Sequence, residues 1–424
     1  MKKTLSKYWK NEFVQGGFVF TVFSFISSFL NYLFNFFAAR ALGPAGFGEI
    51  TALFSYITIF SVPTIVMTLV VIQKVGSKGH ESERFALSLQ TWFFALVKRW
   101  WFLIILSLIL SPIIPRVTNL SPISSYTLIP LAILTFIGAF YGAIFQGLRL
   151  FLSFSLISIT AIVLKLLGPI FVLVGVDGLL TMVVFLVISG VAGILLLHTF
   201  MKKYVVSSIS PKKTAIQKRL KDALFNKQVI VTFFSVLAIT SFNNLDVIFV
   251  KKFFSAGSTG IYGSWSLMAK IITYVVGPAV TVSYIFFSGK RRHEGSEKVL
   301  LLSLGALFLV ALGSFIAYKY FPTLLIQMFF GKRFLSVSPY LPQASIFGSL
   351  YSVITFINSY FLAKKSNFSL LLPLTIPIYA TLLFLIPKEI SSIMTLNIYF
   401  SLCVACLYLI AASSRFLYNM PQWK

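Results

Sequence analysis

Acidic residues are the scarcest functional type in this sequence. Ten Asp and Glu stand against 36 Lys and Arg in 424 residues, and charged residues of both signs make up only 11%. A soluble domain carries about 25%, so a water-facing globular surface is excluded. Cysteine numbers two, Cys403 and Cys406. A C-x-x-C with no further Cys and no nearby His does not build a four-ligand zinc site. Inside an apolar run the pair reads as two buried small residues. The three histidines, His80, His198 and His293, fall at the ends of apolar runs and carry no recognisable chemistry. There is no H-E-x-x-H and no paired-carboxylate motif, and the longest predicted outer loop, 319–338, holds no His, Asp or Glu. Acid–base and group-transfer chemistry need converging titratable groups. No enzyme activity, metal or cofactor is therefore expected.

What fills the chain is apolar: 58% of residues are hydrophobic and the mean hydropathy is +0.91. A soluble core cannot absorb this much, because surface grows too fast relative to volume; lipid can. Runs long enough to cross a bilayer fall at 13–39, 47–71, 100–117, 126–147, 152–174, 178–200, 229–250, 260–287, 299–318, 339–362, 369–386 and 391–414. The first follows Lys2, Lys3, Lys7 and Lys10 but is too long for a signal-peptide core, and is read as a retained helix. The stretch from Arg84 to Arg99, charged at both ends, fits an amphipathic helix lying in the interface. A net charge of +26 would suggest nucleic acid in a soluble protein. Here the cations lie mostly between apolar runs, where they set topology and meet anionic headgroups, so no nucleic-acid partner is expected. With a cytoplasmic N-terminus, inside segments hold 26 Lys and Arg and outside segments 8. That asymmetry predicts a multi-pass protein of the cytoplasmic membrane with both termini cytoplasmic.

The longest connection carries Lys202, Lys203, Lys212, Lys213, Lys218, Arg219, Lys221 and Lys227. It divides the chain into a six-helix lobe at 1–201, a basic cytoplasmic linker at 202–228 and a second six-helix lobe at 229–424. Shifting the sequence by 212 residues lays Asn31 on Asn243, Arg40 on Lys252 and Gly48 on Gly260. Both halves then read helix, cation, glycine-containing turn, and long helix with a proline (Pro63, Pro278). Repeated halves are the usual architecture of transporters that rock around a central site.

Several segments are similar to a known family. Ala39-Arg40-Ala41-Leu42-Gly43-Pro44-Ala45-Gly46-Phe47-Gly48-Glu49 resembles the first hairpin of the polysaccharide flippases of the multidrug/oligosaccharidyl-lipid/polysaccharide (MOP) superfamily. So does Gln146-Gly147-Leu148-Arg149-Leu150-Phe151. Leu245-Asp246 with Gly257-Ser258-Thr259-Gly260-Ile261-Tyr262 and Gly331-Lys332-Arg333-Phe334 resemble later turns of the same family. The resemblance implies an all-α integral membrane fold of about twelve transmembrane helices in two pseudo-repeated six-helix lobes around a central cavity. It implies carriage of undecaprenyl-pyrophosphate-linked oligosaccharide for surface polysaccharides such as O-antigen. Its partners would be that substrate, membrane lipids, a polysaccharide polymerase and glycosyltransferases.

Such a substrate needs cations for its phosphates and polar surface for its sugars, and intramembrane charges are functional candidates because burying them is costly. Lys165 lies about 14 Å from the outer end of the fifth run and Lys270 at a similar depth in the eighth. These two, with Asn31, Asn35 and Asn243, are the candidate substrate-binding residues. Ser24, Ser28, Asn31 and Asn35 share one helix face, and Thr240, Asn243 and Asp246 answer it from the seventh run. Asp246 is a candidate either for ion coupling or for an ion pair with Lys270. Arg40, Arg149 and Lys252, at helix ends, are candidates for gating or substrate admission, against the plainer role of headgroup anchors. The serines of the tenth run (Ser345, Ser349, Ser352, Ser359) and the Gly138-x-x-x-Gly142 pair read as helix–helix contacts. A cation-coupled multidrug exporter of the same superfamily is the first alternative. It is weakened because Glu12, Glu49, Glu81, Glu83 and Asp177 sit at ends or in loops and leave Asp246 as the intramembrane carboxylate. A membrane polysaccharide polymerase or ligase is the second, weakened by the missing acid–base groups.

Overall fold

The structure, a computed structural model, describes residues 12–77, 81–204, 226–288 and 296–419. His80, His293 and the middle of the basic linker lie outside them. The described residues are helical throughout, with no strand. In order the helices are α1 (Glu12–Phe60), α2 (Val62–Gly76), α3 (Ser82–Arg99), α4 (Trp101–Ile109), α5 (Ile114–Thr118), α6 (Pro122–Gly147), α7 (Phe151–Leu173) and α8 (Gly178–Tyr204). There follow α9 (Lys227–Phe242), α10 (Leu245–Phe253), α11 (Ala256–Ser288), α12 (Ser296–Tyr320), α13 (Pro322–Phe329), α14 (Leu341–Ala363), α15 (Leu371–Leu385) and α16 (Ile390–Asn419). Every predicted run falls on helix. Among the described residues nine helices are long and apolar enough to cross a membrane, or ten if α9 and α10, bent by 43°, form one span. The first two runs are continuous in α1 except at Gly43, where φ is 66°. Only glycine adopts that left-handed conformation without strain, and Pro44 behind it restarts the helix with its preset φ.

Packing divides the chain into two units: Met1–Leu42 with Phe60–Val229, and Gly43–Ile59 with Ile230–Lys424. In the first, the core gathers Val75, Leu89, Phe93, Phe140, Phe145 and Met201. Phe93 stacks on Phe140 with centroids 3.9 Å apart. The face of α3 that carries Phe85, Ala86, Leu89 and Phe93 is buried, so this stretch packs against its neighbours instead of lying in the interface. The burial of these four apolar side chains outweighs the charges at the helix ends. Of the Gly138-x-x-x-Gly142 pair on α6, Gly142 takes the Phe154 ring, which would stand 2.7 Å from an added Cβ, while Gly138 meets only Ile194 at 4.0 Å.

In the second unit the far half of α1 crosses α11 where neither chain has a side chain. A Cβ on Gly260 would lie 1.7 Å from the Pro44 carbonyl oxygen, and one on Gly48 would lie 2.6 Å from the Gly260 nitrogen. The two glycines matched by the internal repeat therefore touch. Phe47 packs edge-on to Phe330 and Phe334 at 5.8 and 5.7 Å. Cys403 and Cys406 are exposed on α16, not buried as expected: the apolar face of a lipid-bound helix points outward. Two of the serines of α14 do bridge helices, Ser345 to Ser314 at 2.9 Å and Ser352 to Thr273 at 3.1 Å.

Candidate functional site

Two polar centres stand out, one in each unit. In the first, Lys165 on α7 is half-buried and its Nζ donates to Asn31 Oδ1 at 3.1 Å. The ammonium also sits over the Phe34 ring, 4.1 Å from the centroid, an arrangement that attracts a cation to the ring face. The Asn31 amide is oriented by its own helix: its Nδ2 donates to the Ser27 carbonyl at 3.0 Å, which leaves Oδ1 for the lysine. Asn35 repeats this pattern, donating to the Asn31 carbonyl at 2.9 Å. Two of the candidate residues, Lys165 and Asn31, thus touch each other. Asn35 lies one turn away with its amide given to backbone.

In the second unit α9 ends at Phe242 and α10 begins at Leu245. Asn243, a predicted substrate residue, falls in this break and is half-buried; Asn244 caps back onto the Thr240 carbonyl at 2.8 Å. Asp246, in the first turn of α10, is fully buried. Its Oδ2 accepts from the Tyr262 hydroxyl at 2.5 Å and from Asn397 Nδ2 at 3.2 Å. Asn397 Nδ2 also lies 2.7 Å from the Tyr262 oxygen, and its Oδ1 accepts from the Tyr379 hydroxyl at 2.5 Å. Four helices, α10, α11, α15 and α16, therefore converge on one carboxylate. Its second oxygen, Oδ1, is buried and makes no hydrogen bond among the described residues.

The expected Asp246–Lys270 pair is not formed. Lys270 is half-buried on α11 and makes neither a hydrogen bond nor an ion pair with the carboxylate. Tyr262 and Lys270 lie two helical turns apart, about 12 Å along the axis. The two groups are too far apart for a hydrogen bond or a salt bridge, and the Asp246 charge acts on the Lys270 ammonium only across that gap. A different buried pair exists: Lys251 Nζ and Glu49 Oε2 are 2.5 Å apart, each side chain 7% exposed. Glu49 was expected at a helix end or in a loop, and Lys251 in an outside segment. The segment Gly43–Ile59 carries the glutamate into the second unit, where both charges are enclosed.

Of the gating candidates, Arg40 is exposed just before the Gly43 break, and Lys252 is half-buried beside Lys251. Arg149 is exposed in the turn between α6 and α7 with φ of 62°. His198, which seemed without chemistry, has its Nδ1 2.7 Å from the Tyr141 hydroxyl, to which Gln90 donates at 3.1 Å. Sequence reasoning also missed Tyr262, Tyr379 and Asn397. Their signal was an isolated polar group in an apolar run, the same that marked Asp246.

The architecture is that of multi-pass membrane transporters and flippases. The fold matches a structure described as lipid II flippase MurJ in an inward closed conformation, with a TM-score of 0.69 and 18% identity over 94% of this chain and 87% of that one. It also matches an outward-facing multidrug resistance MATE family transporter of the MOP superfamily, with a TM-score of 0.63 and 14% identity over 94% and 95%. A MOP superfamily transporter from Pyrococcus furiosus matches with a TM-score of 0.56 and 12% identity over 95% of each chain. Among curated protein sequences none matches. The model of the family described as "Polysaccharide biosynthesis protein" matches residues 13–289, and the chain belongs to that family. The resemblance read from the hairpin motifs is upheld.

Proposed function

We propose that the protein translocates undecaprenyl-pyrophosphate-linked oligosaccharide across the cytoplasmic membrane by alternating access, with both termini cytoplasmic. Membership of a polysaccharide biosynthesis family and the likeness to a lipid II flippase support a lipid-linked substrate. The observation that carries the reading is Lys165, a cation deep in an apolar helix and held by an uncharged partner, Asn31. The Asn31 amide and the Phe34 ring fix where the ammonium stands, and a positive charge at that place suits a diphosphate. Lys270 offers a second such cation, and Asn35 and Asn243 offer hydrogen bonds to sugar hydroxyls. Arg40, Arg149 and Lys252 would meet the head group at helix ends. Glycosyltransferases that assemble the lipid-linked unit would act before it and a polymerase after it.

Asp246 fits ion coupling better than ion pairing. Its Tyr262 and Asn397 donors satisfy one oxygen, and the other is placed to take a proton or a small cation. A multidrug exporter would use such a carboxylate too, but would have no need of a phosphate-binding lysine. In cells that depend on this protein for surface polysaccharide, Lys165→Ala should abolish the polymer at normal protein levels, while Lys165→Arg retains part of it, since charge survives and point-charge geometry does not. Normal polysaccharide in Lys165→Ala cells would sink the diphosphate role.

A further inference from the structure

α3 and α6 run antiparallel in contact. Phe93 stacks on Phe140, Gln90 reaches Tyr141 at 3.1 Å, and further along Trp100 and Ile104 face Ala132 and Phe136 across a shared cavity. This pairing sets Arg99 level with Leu134. Leu134 lies about 18–20 Å from either end of α6 at ~1.5 Å per residue, and α6 is one of the helices long and apolar enough to cross a membrane. Lys98 and Arg99 are therefore level with the middle of α6, although in the sequence they look like the end of a cytoplasmic segment just before the apolar stretch Trp101–Thr118. Both are exposed and neither takes part in an ion pair or side-chain hydrogen bond among the described residues. No Asp or Glu occurs between Arg84 and Val176, so this stretch of chain supplies no counter-ion.

Beside the cations lies a cavity of about 440 Å³, lined without a charged group by Phe60, Leu96, Trp100, Ile104, Ala132 and Phe136 among others. That volume is within the range of small-molecule sites. Leu96 and Arg99 are three residues apart on α3 and so neighbours on its surface. α4, which continues the wall, buries none of its nine residues against protein. Cation and apolar hollow adjoin, as an anionic lipid requires.

We infer that Lys98, Arg99 and this cavity bind the junction of a polyprenyl diphosphate, phosphates on the cations and the first isoprene units in the hollow. The inference rests on the lipid-linked substrate proposed above and names where its tail and head meet during transit. Their level midway along α6 decides between lipids. The phosphate of a resident phospholipid stays at the surface, roughly 15 Å from the centre of a ~30 Å hydrocarbon core, beyond the reach of these side chains. An anion meets Arg99 there only while it is being carried. Intramembrane cations on this scale of cost are retained where they serve a path.

The test uses the full chain in phosphatidylcholine nanodiscs, with undecaprenyl diphosphate, undecaprenol and phosphatidylglycerol as separate probes and retention read by native mass spectrometry. Wild type should retain the diphosphate and not the other two. Lys98→Gln with Arg99→Gln should lower its affinity at least tenfold, and the charge-preserving Lys98→Arg with Arg99→Lys should restore most of it. Ala132→Phe, which fills the cavity, should weaken undecaprenyl diphosphate but spare geranyl diphosphate, whose chain is short. Equal retention by wild type and the glutamine variant would overturn the site while leaving the flippase reading intact. Preferential retention of phosphatidylglycerol would make it an ordinary lipid contact and overturn it too. No retention of diphosphate by wild type or by Lys165→Ala would overturn both readings together.

Discussion

The two units carry polar centres of opposite charge. In the first the buried polar centre is a cation steadied by an amide and a ring, Lys165 with Asn31 and Phe34. In the second it is an anion steadied by a phenol and an amide, Asp246 with Tyr262 and Asn397. The repeat lays Asn31 on Asn243, yet Asn31 orients a lysine while Asn243 sits in a helix break. Positions matched by sequence thus sit in different polar surroundings. Cationic and anionic centres in different units suit different tasks, one toward a phosphate-bearing substrate and one toward a coupling cation.

The comparison can be broken most severely where the second unit holds its borrowed segment. Glu49→Ala leaves Lys251 enclosed without its partner, and removing one member of a buried pair costs about 3–5 kcal/mol. Replacing both together, Glu49→Met with Lys251→Met, should recover most of that loss. Thermal melts of the detergent-solubilised protein read both, and a single variant as stable as wild type would show that the pair is solvated after all.

A smaller effect should separate coupling from structure in the same unit. Asp246→Asn keeps the side-chain shape and still accepts from Tyr262, so the protein should remain folded while transport loses its dependence on a proton or sodium gradient. Tyr262→Phe removes one donor to Oδ2 but leaves Asn397, and should lower the transport rate by at most roughly ten- to 150-fold, the equivalent of about 1.5–3 kcal/mol for a charge-assisted hydrogen bond. Gradient dependence unchanged in Asp246→Asn would return the carboxylate to a packing role.

Much of the fold was legible because hydropathy reports the solvent directly. Apolar runs of about 20 residues have few alternatives to spanning, and each predicted run is helical. The Gly48–Gly260 match also proved meaningful, since the two residues touch. Charge placement was less legible. Lys98 and Arg99 end one apolar helix and precede another, so hydropathy alone read them as a boundary; the stacking of Phe93 on Phe140 sets them level with the middle of α6. Glu49 looked like a turn residue because the chain bends at Gly43 six residues before it, and its partner lies 202 positions away. The Asp246–Lys270 pairing failed for the same reason. Sequence spacing sets position along a helix but not which neighbour on another helix arrives first, and a phenol did.

The central claim is that the cation of the first unit serves a lipid-linked diphosphate. The most direct measurement is translocation of undecaprenyl-pyrophosphate-linked oligosaccharide by the purified protein in sealed liposomes, read as protection of the sugar from an external glycosidase. The account predicts rapid loss of protection with wild type, near-background rates with Lys165→Gln, and no transport of cationic drugs by either. Drug transport by wild type that survives in Lys165→Gln, with no movement of the lipid-linked oligosaccharide, would contradict it.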